Sequence, residues 1–167
     1  MAEKVISPKE FEQGLQEFVG KELTDFYYTT DSLVTLLAGK KTPNNRGSED
    51  SEFELMIWGA WEYVIDGKTI ETSFMQSKNE NIPNLRGRLD DFIESLHPHH
   101  VTFISISTDG KVAEVGLDIG GKFVVHGHDD VFLNYSHLQH SPNGDITSAT
   151  HLRPDEDSGK LTLYQSP

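Results

Sequence analysis

The chain has 167 residues, 35% of them hydrophobic, enough for one domain of ordinary size with a real core. Acids number 27 against 14 Lys and Arg, a formal net charge of −13, so nucleic acid and anionic membrane are excluded as partners of the surface as a whole; phosphate binding needs a basic footprint. There is no cysteine, which excludes disulfides and thiolate metal sites.

The acid excess is even. Residues 1–84 hold 8 bases and 15 acids (−7), and residues 85–167 hold 6 bases and 12 acids (−6). Neither half is a charged tail. The balance favours a basic protein partner, or serves solubility alone. The start MAEKVISPKE has no apolar core of a secretion signal, and no apolar run is long enough to span a bilayer, so the expected compartment is the cytoplasm.

The first predicted element is a helix in SPKEFEQGLQEFVG. Ser7 is the N-cap, Pro8 the first helical residue, and Glu10 completes a capping box. Phe11, Leu15, Phe18 and Val19 share one face, and Gly20 ends the helix. Residues 23–39 then read as a strand pair. Residues 39–52, GKKTPNNRGSEDSE, are polar and rich in turn formers, and read as a mobile loop. FELMIWGAWEYVIDGKTIETSF reads as further strands, with Asp66-Gly67 as a hairpin turn.

A second helix is predicted in LRGRLDDFIESLHPHH, with Leu85, Leu89, Phe92, Ile93 and Leu96 as its apolar stripe and Pro98 as its stop. Strands follow at 101–121 and 122–136. Turns are expected at SPNGD and RPDEDSGK, and LTLYQ closes the chain as a strand. DEDSG superficially resembles a calcium loop, but Gly159 comes one place early and no Glu stands at the twelfth position.

A shift of 78 places Leu23 on Val101, Phe26 on Ile104, Asp31 on Asp109 and, in the helices, Phe11 on Leu89 and Leu15 on Ile93. One offset across a helix and a hairpin implies an internal duplication. Beyond an indel, Trp58-Gly59 aligns with His126-Gly127. The expectation is therefore a single α+β domain over 1–167 made of two pseudo-repeats. Repeat one covers 7–84, with the mobile loop 39–52, and repeat two covers 85–165. Each is a helix followed by an antiparallel meander of about four strands, with the helices packed on the sheet. One sheet, two subdomains and a barrel are all compatible with this pattern, and an exposed edge strand offers a route to a homodimer.

All eight histidines lie between 97 and 151. In HGHDD, His126 and His128 are spaced so that a strand puts both on one face, and Asp130 is a candidate third ligand for a divalent metal. His97, His99 and His100 offer another. The alternative is that these histidines are ordinary surface and helix-end residues, since HxH alone lacks the spacing of known metal motifs. WGAWEY is the densest aromatic cluster. Trp58, Trp61 and Tyr63 are candidates for a binding surface, with core packing as the alternative, above all for Trp61. No GxSxG, P-loop or GxGxxG is present, and no catalytic residue is nominated.

The run GKELTDFYYTTDSLVTLLAG, followed by FELMIWGAWEYVIDGK with its L-x-I-x-x-x-W pattern, resembles small bacterial β-rich proteins. Some of those act as immunity proteins beside polymorphic toxins. The resemblance spans about 45 residues directly. Its motifs are structural, so it carries no functional residues over, and segment 39–52 and the His-rich second half depart from it. The resemblance implies a non-enzymatic inhibitor of a basic toxin. A metal-dependent enzyme or metal-binding protein using His126, His128 and Asp130 is the competing expectation.

Overall fold

The computed structural model describes residues 2–28, 33–73, 98–128 and 132–166. The first element after a short strand, β1 (Ala2–Val5), is the helix α1 (Pro8–Leu15). Its capping box forms as the sequence requires. The Glu10 N–H donates to Ser7 Oγ at 3.1 Å, and the Ser7 N–H donates to Glu10 Oε1 at 3.2 Å. Phe11 and Leu15 are buried. The helix stops one turn earlier than its apolar stripe suggests, and Phe18 reaches the core from the turns that follow.

The other described elements are strands: β2 (Leu23–Tyr28), β3 (Val34–Pro43), β4 (Glu49–Ile57), β5 (Ala60–Ile65), β6 (Lys68–Thr72), β7 (Val101–Ile106), β8 (Val112–Leu117), β9 (Lys122–His126), β10 (Leu133–His140), β11 (Ile146–Pro154) and β12 (Leu161–Ser166). They form two antiparallel sheets, one of seven strands in the order β1-β12-β11-β10-β4-β3-β2 and one of five in the order β6-β5-β9-β8-β7. The expected α+β architecture, a helix for each repeat packed on a four-stranded meander, is thereby corrected. The molecule is mostly β, with one short helix among the described residues. The second predicted helix, on Leu85 to Leu96, lies outside the described residues.

The expected meanders fail for a topological reason. After its third strand, each half of the chain leaves its own sheet. β2-β3-β4 is a meander in the larger sheet, and the bend at Trp58-Gly59 carries the chain to β5 in the smaller one. β7-β8-β9 is a meander in the smaller sheet, and β10 then lies in the larger one, beside β4. Reciprocally, β5 lies beside β9. The two meanders share a detail. The register of β2 against β3 shifts between Leu23 and Asp25, and that of β7 against β8 between Val101 and Phe103. Tyr63 pairs with Phe123 and Tyr135 with Leu55, so two fully buried tyrosines hold matching places beside the third strands.

One apolar interior joins both sheets and α1. The Phe11 ring stacks 6.2 Å from Phe132, and Phe18 meets Tyr135 edge-on at 6.0 Å. The helix also protects an edge strand. The Ile106 N–H donates to Glu12 Oε1 at 2.8 Å, and Gln16 Nε2 donates to the Ile104 carbonyl at 3.0 Å. These side chains satisfy groups on β7 that an incoming strand would otherwise pair.

Segment 39–52, read as a loop, is strand along most of its length and belongs to the β3–β4 hairpin. Only 44–48 turn. Asn44 organises them, its Oδ1 accepting from the N–H groups of Arg46 and Ser48. The tip reaches the β10–β11 hairpin, where Asn45 Nδ2 donates to Asp145 Oδ1 at 3.5 Å. RPDEDSGK is a turn of the same kind, with Asp155 Oδ1 accepting from the N–H groups of Asp157 and Ser158.

Candidate partner-binding face

The three aromatic candidates separate. Trp61 and Tyr63 alternate inward along β5 and are buried, the Tyr63 hydroxyl donating to the Gly120 carbonyl. Trp58, in the bend after β4, is 38% exposed and stays available for contact. Its N–H donates to the Phe132 carbonyl at 2.9 Å, tying the two crossings between sheets together.

The histidines also separate. His126 ends β9 opposite Ala60 and Val112 and is exposed. His128 lies just beyond it, at a cavity of about 290 Å³ that Lys111 and Phe132 also line. His99 and His100 sit at the other end of the sheet and both face Asp118. His99 Nδ1 is 3.1 Å from Oδ1, and His100 Nδ1 is 3.4 Å from Oδ2. The length of β8 divides the two groups, roughly 17 Å at strand rise. His97 and Asp130 lie outside the described residues. Among the described residues, no three His, Asp or Glu side chains are placed to hold a metal ion. A metal site built on His126 and His128 requires metal-free protein to retain stoichiometric zinc, iron or manganese after desalting, with a raised melting temperature. Less than about 0.1 equivalent retained, with an unchanged melting temperature, would remove the metal expectation.

Two histidines that the sequence did not single out join strands through carboxylates. His137 on β10 stacks 4.3 Å from the Phe53 ring, with Nδ1 3.0 Å from Glu17 Oε1 and Nε2 3.4 Å from Glu52 Oε2. The Tyr135 hydroxyl donates to the other oxygen of Glu17 at 2.9 Å. Burial, and then that carboxylate, push the Tyr135 phenol far above its ordinary range. His140, its side chain only 4% exposed, lies with Nε2 3.0 Å from Asp50 Oδ2. A cleft of about 420 Å³ runs along α1 above Leu152 and Leu163. Its acids are occupied: Glu10 accepts from the Ser7 N–H, and Glu17 is taken by Tyr135 and His137.

The opposite, outward face of the seven-stranded sheet differs. Asp25, Leu37, Glu54 and Ser136 are successive partners across β2, β3, β4 and β10. Phe53 and Leu55 point into the core, so Glu54 points out, into a groove of about 260 Å³ lined also by Tyr27, Leu37, Lys41, Asp50 and Leu138. Leu37 is 5% exposed and Tyr27 55%. Asp50 is compensated: the Asn44 amide, and then His140, hold its carboxyl below the usual range. Lys41 leans toward Asp25, with Nζ 3.8 Å from Oδ2. Glu54 is half-buried, and no hydrogen bond or ion pair reaches its carboxylate among the described residues. Burial, and then the charge of Asp50, raise its pKa. Ser48, Glu49 and Ser51 complete the lining, so the groove is a mostly polar slot in which the carboxylates of Glu49, Asp50 and Glu54 face a single lysine, and a cation complements that charge.

Neither a protein-family model, nor a curated protein, nor a solved structure matches this chain. No helix among the described residues is long and apolar enough to cross a membrane.

Proposed function

We propose that this chain is a non-enzymatic acidic binding protein that captures a basic protein partner, in the manner of an immunity-type inhibitor of a bacterial toxin. The observation that carries this reading is the surplus of acid in the sequence, together with the few lysine or arginine partners that carboxylates have among the described residues. Among pairs between described residues, only Lys41–Asp25 and Lys122–Glu114 join a lysine or arginine to a carboxylate; the other pairs use histidine. With a formal charge of −13, such a surface steers a basic protein toward it and raises the encounter rate. The outward groove, with the exposed Tyr27 beside it, gives that attraction a place to end in contact.

Affinity capture from the source cells is the test. The wild-type chain should retain a basic protein, and co-expression should suppress that protein's activity or toxicity. Retention of no basic protein above background would remove the reading. A basic partner whose activity is untouched by the chain would remove the inhibitor role and keep the binding role.

A further inference from the structure

We propose that the groove over Glu54 receives one arginine side chain of the basic partner; this rests on the partner-binding reading above. Size is the first reason. At about 260 Å³ the groove falls below the ~300–1,000 Å³ of pockets for drug-sized ligands, and suits a single long side chain. Its walls are the second. Tyr27 and Leu138 offer apolar surface to an aliphatic stem above the buried Leu37, and the exposed Tyr27 ring offers a face to a flat cation. Charge is the third. Glu54 is the half-buried anion of the groove with no partner among the described residues, and Asp50 beside it, though held by Asn44 and His140, adds to the negative field.

Arginine fits this chemistry better than lysine. A guanidinium is more weakly hydrated than an ammonium, so entry into a half-buried slot costs it less, and its planar fork meets a carboxylate through two N–H groups. The cation already on the rim, Lys41, is turned to Asp25 and 41% exposed in its side chain, so it does not compensate Glu54. An arriving arginine would reverse the condition that burial imposes on Glu54, because an adjacent cation favours the ionised carboxylate.

The test is an NMR titration of the full chain with N-acetyl-arginine amide and, separately, N-acetyl-lysine amide. Backbone shifts should concentrate at Tyr27, Leu37, Glu54 and Leu138, with arginine binding at least about threefold tighter, a difference of the size expected for a cation over an aromatic ring. Glu54→Gln should weaken arginine about tenfold, the loss of a charge-assisted contact worth about 1.4 kcal/mol. The amide is neutral and nearly isosteric, and the fold already disfavours the charged form of Glu54, so this variant is expected to fold. Tyr27→Ala, at an exposed ring, is the second variant and should weaken arginine about threefold. Shifts scattered over the acidic surface, equal for both amides and indifferent to Glu54→Gln, would overturn the arginine site. If a basic protein is nevertheless captured from cells, the partner reading survives that result. Localised arginine binding with no basic partner would overturn the partner and leave the groove chemistry standing.

Discussion

Trp61→Ala should lower the stability of the chain by about 3–5 kcal/mol, the range for removing a large aromatic side chain from a packed core. Trp61 is 2% exposed and lies in the middle of β5, paired with Val125. Its ring meets Phe123 edge-on at 5.3 Å, and Phe123 meets Tyr63 edge-on at 4.9 Å, so one deletion opens a row of three aromatic rings. A domain is stable by only about 5–15 kcal/mol, so this loss is a large fraction of the whole. Trp58→Ala is the control three residues away. At 38% exposure it should cost less than about 1 kcal/mol. Urea unfolding of both variants measures the difference. A small loss for Trp61→Ala together with lost partner binding would mean that the core assignment is wrong and that Trp61 belongs to the binding surface.

Gly121→Ala should cost about 2 kcal/mol or more, for two separable reasons. Gly121 has φ +89°, where a side chain is strained, and an added Cβ would lie 2.6 Å from the Val64 carbonyl oxygen and 2.8 Å from the Tyr63 ring. The turn between β8 and β9 is clasped against β5 there, because the Tyr63 hydroxyl donates to the Gly120 carbonyl. Gly120 has the similar φ of +93° but open space around its Cβ position, so Gly120→Ala should carry the backbone strain alone, about 1–2 kcal/mol. The difference between their urea midpoints isolates the contact. Equal losses would show that the turn does not press on β5.

The local devices of this fold are legible in the sequence, because each is decided within a few residues. Ser7, Pro8 and Glu10 announce the cap of α1, and Asp66-Gly67 announces the β5–β6 hairpin. The alternation of Trp61 and Tyr63 with Glu62 and Val64 already suggests that Trp61 faces inward. Sheet membership is different. Ile57 pairs with Val34 on one side and Leu133 on the other, and nothing near residue 57 in the chain specifies a partner 76 positions away. For the same reason, the sequence reads as a four-stranded meander where the chain changes sheets at Trp58-Gly59. Segment 39–52 misleads because it projects as a hairpin with few buried positions, so its strands need no apolar alternation and read as loop.

The groove is hidden by the same physics. In FELMIW, Glu54 reads as one more solvated acid between two core residues. Leu37 on β3 is its cross-strand partner and Leu138 on β10 lines the same groove, and only sheet pairing brings them beside it. HGHDD, the most conspicuous stretch in the sequence, shows the converse. His126 and His128 look like half of a metal site, and the structure sets them at the far end of the sheet from His99 and His100.

If the surplus of acid, a formal charge of −13, draws in a basic partner, their association must depend on salt. The most direct measurement is the association rate of the purified chain with the captured partner at ~25 mM and ~250 mM salt. Electrostatic steering predicts a fall of about tenfold or more in that rate, with a smaller change in the dissociation rate. A rate independent of salt, or a partner that is itself acidic, would contradict it.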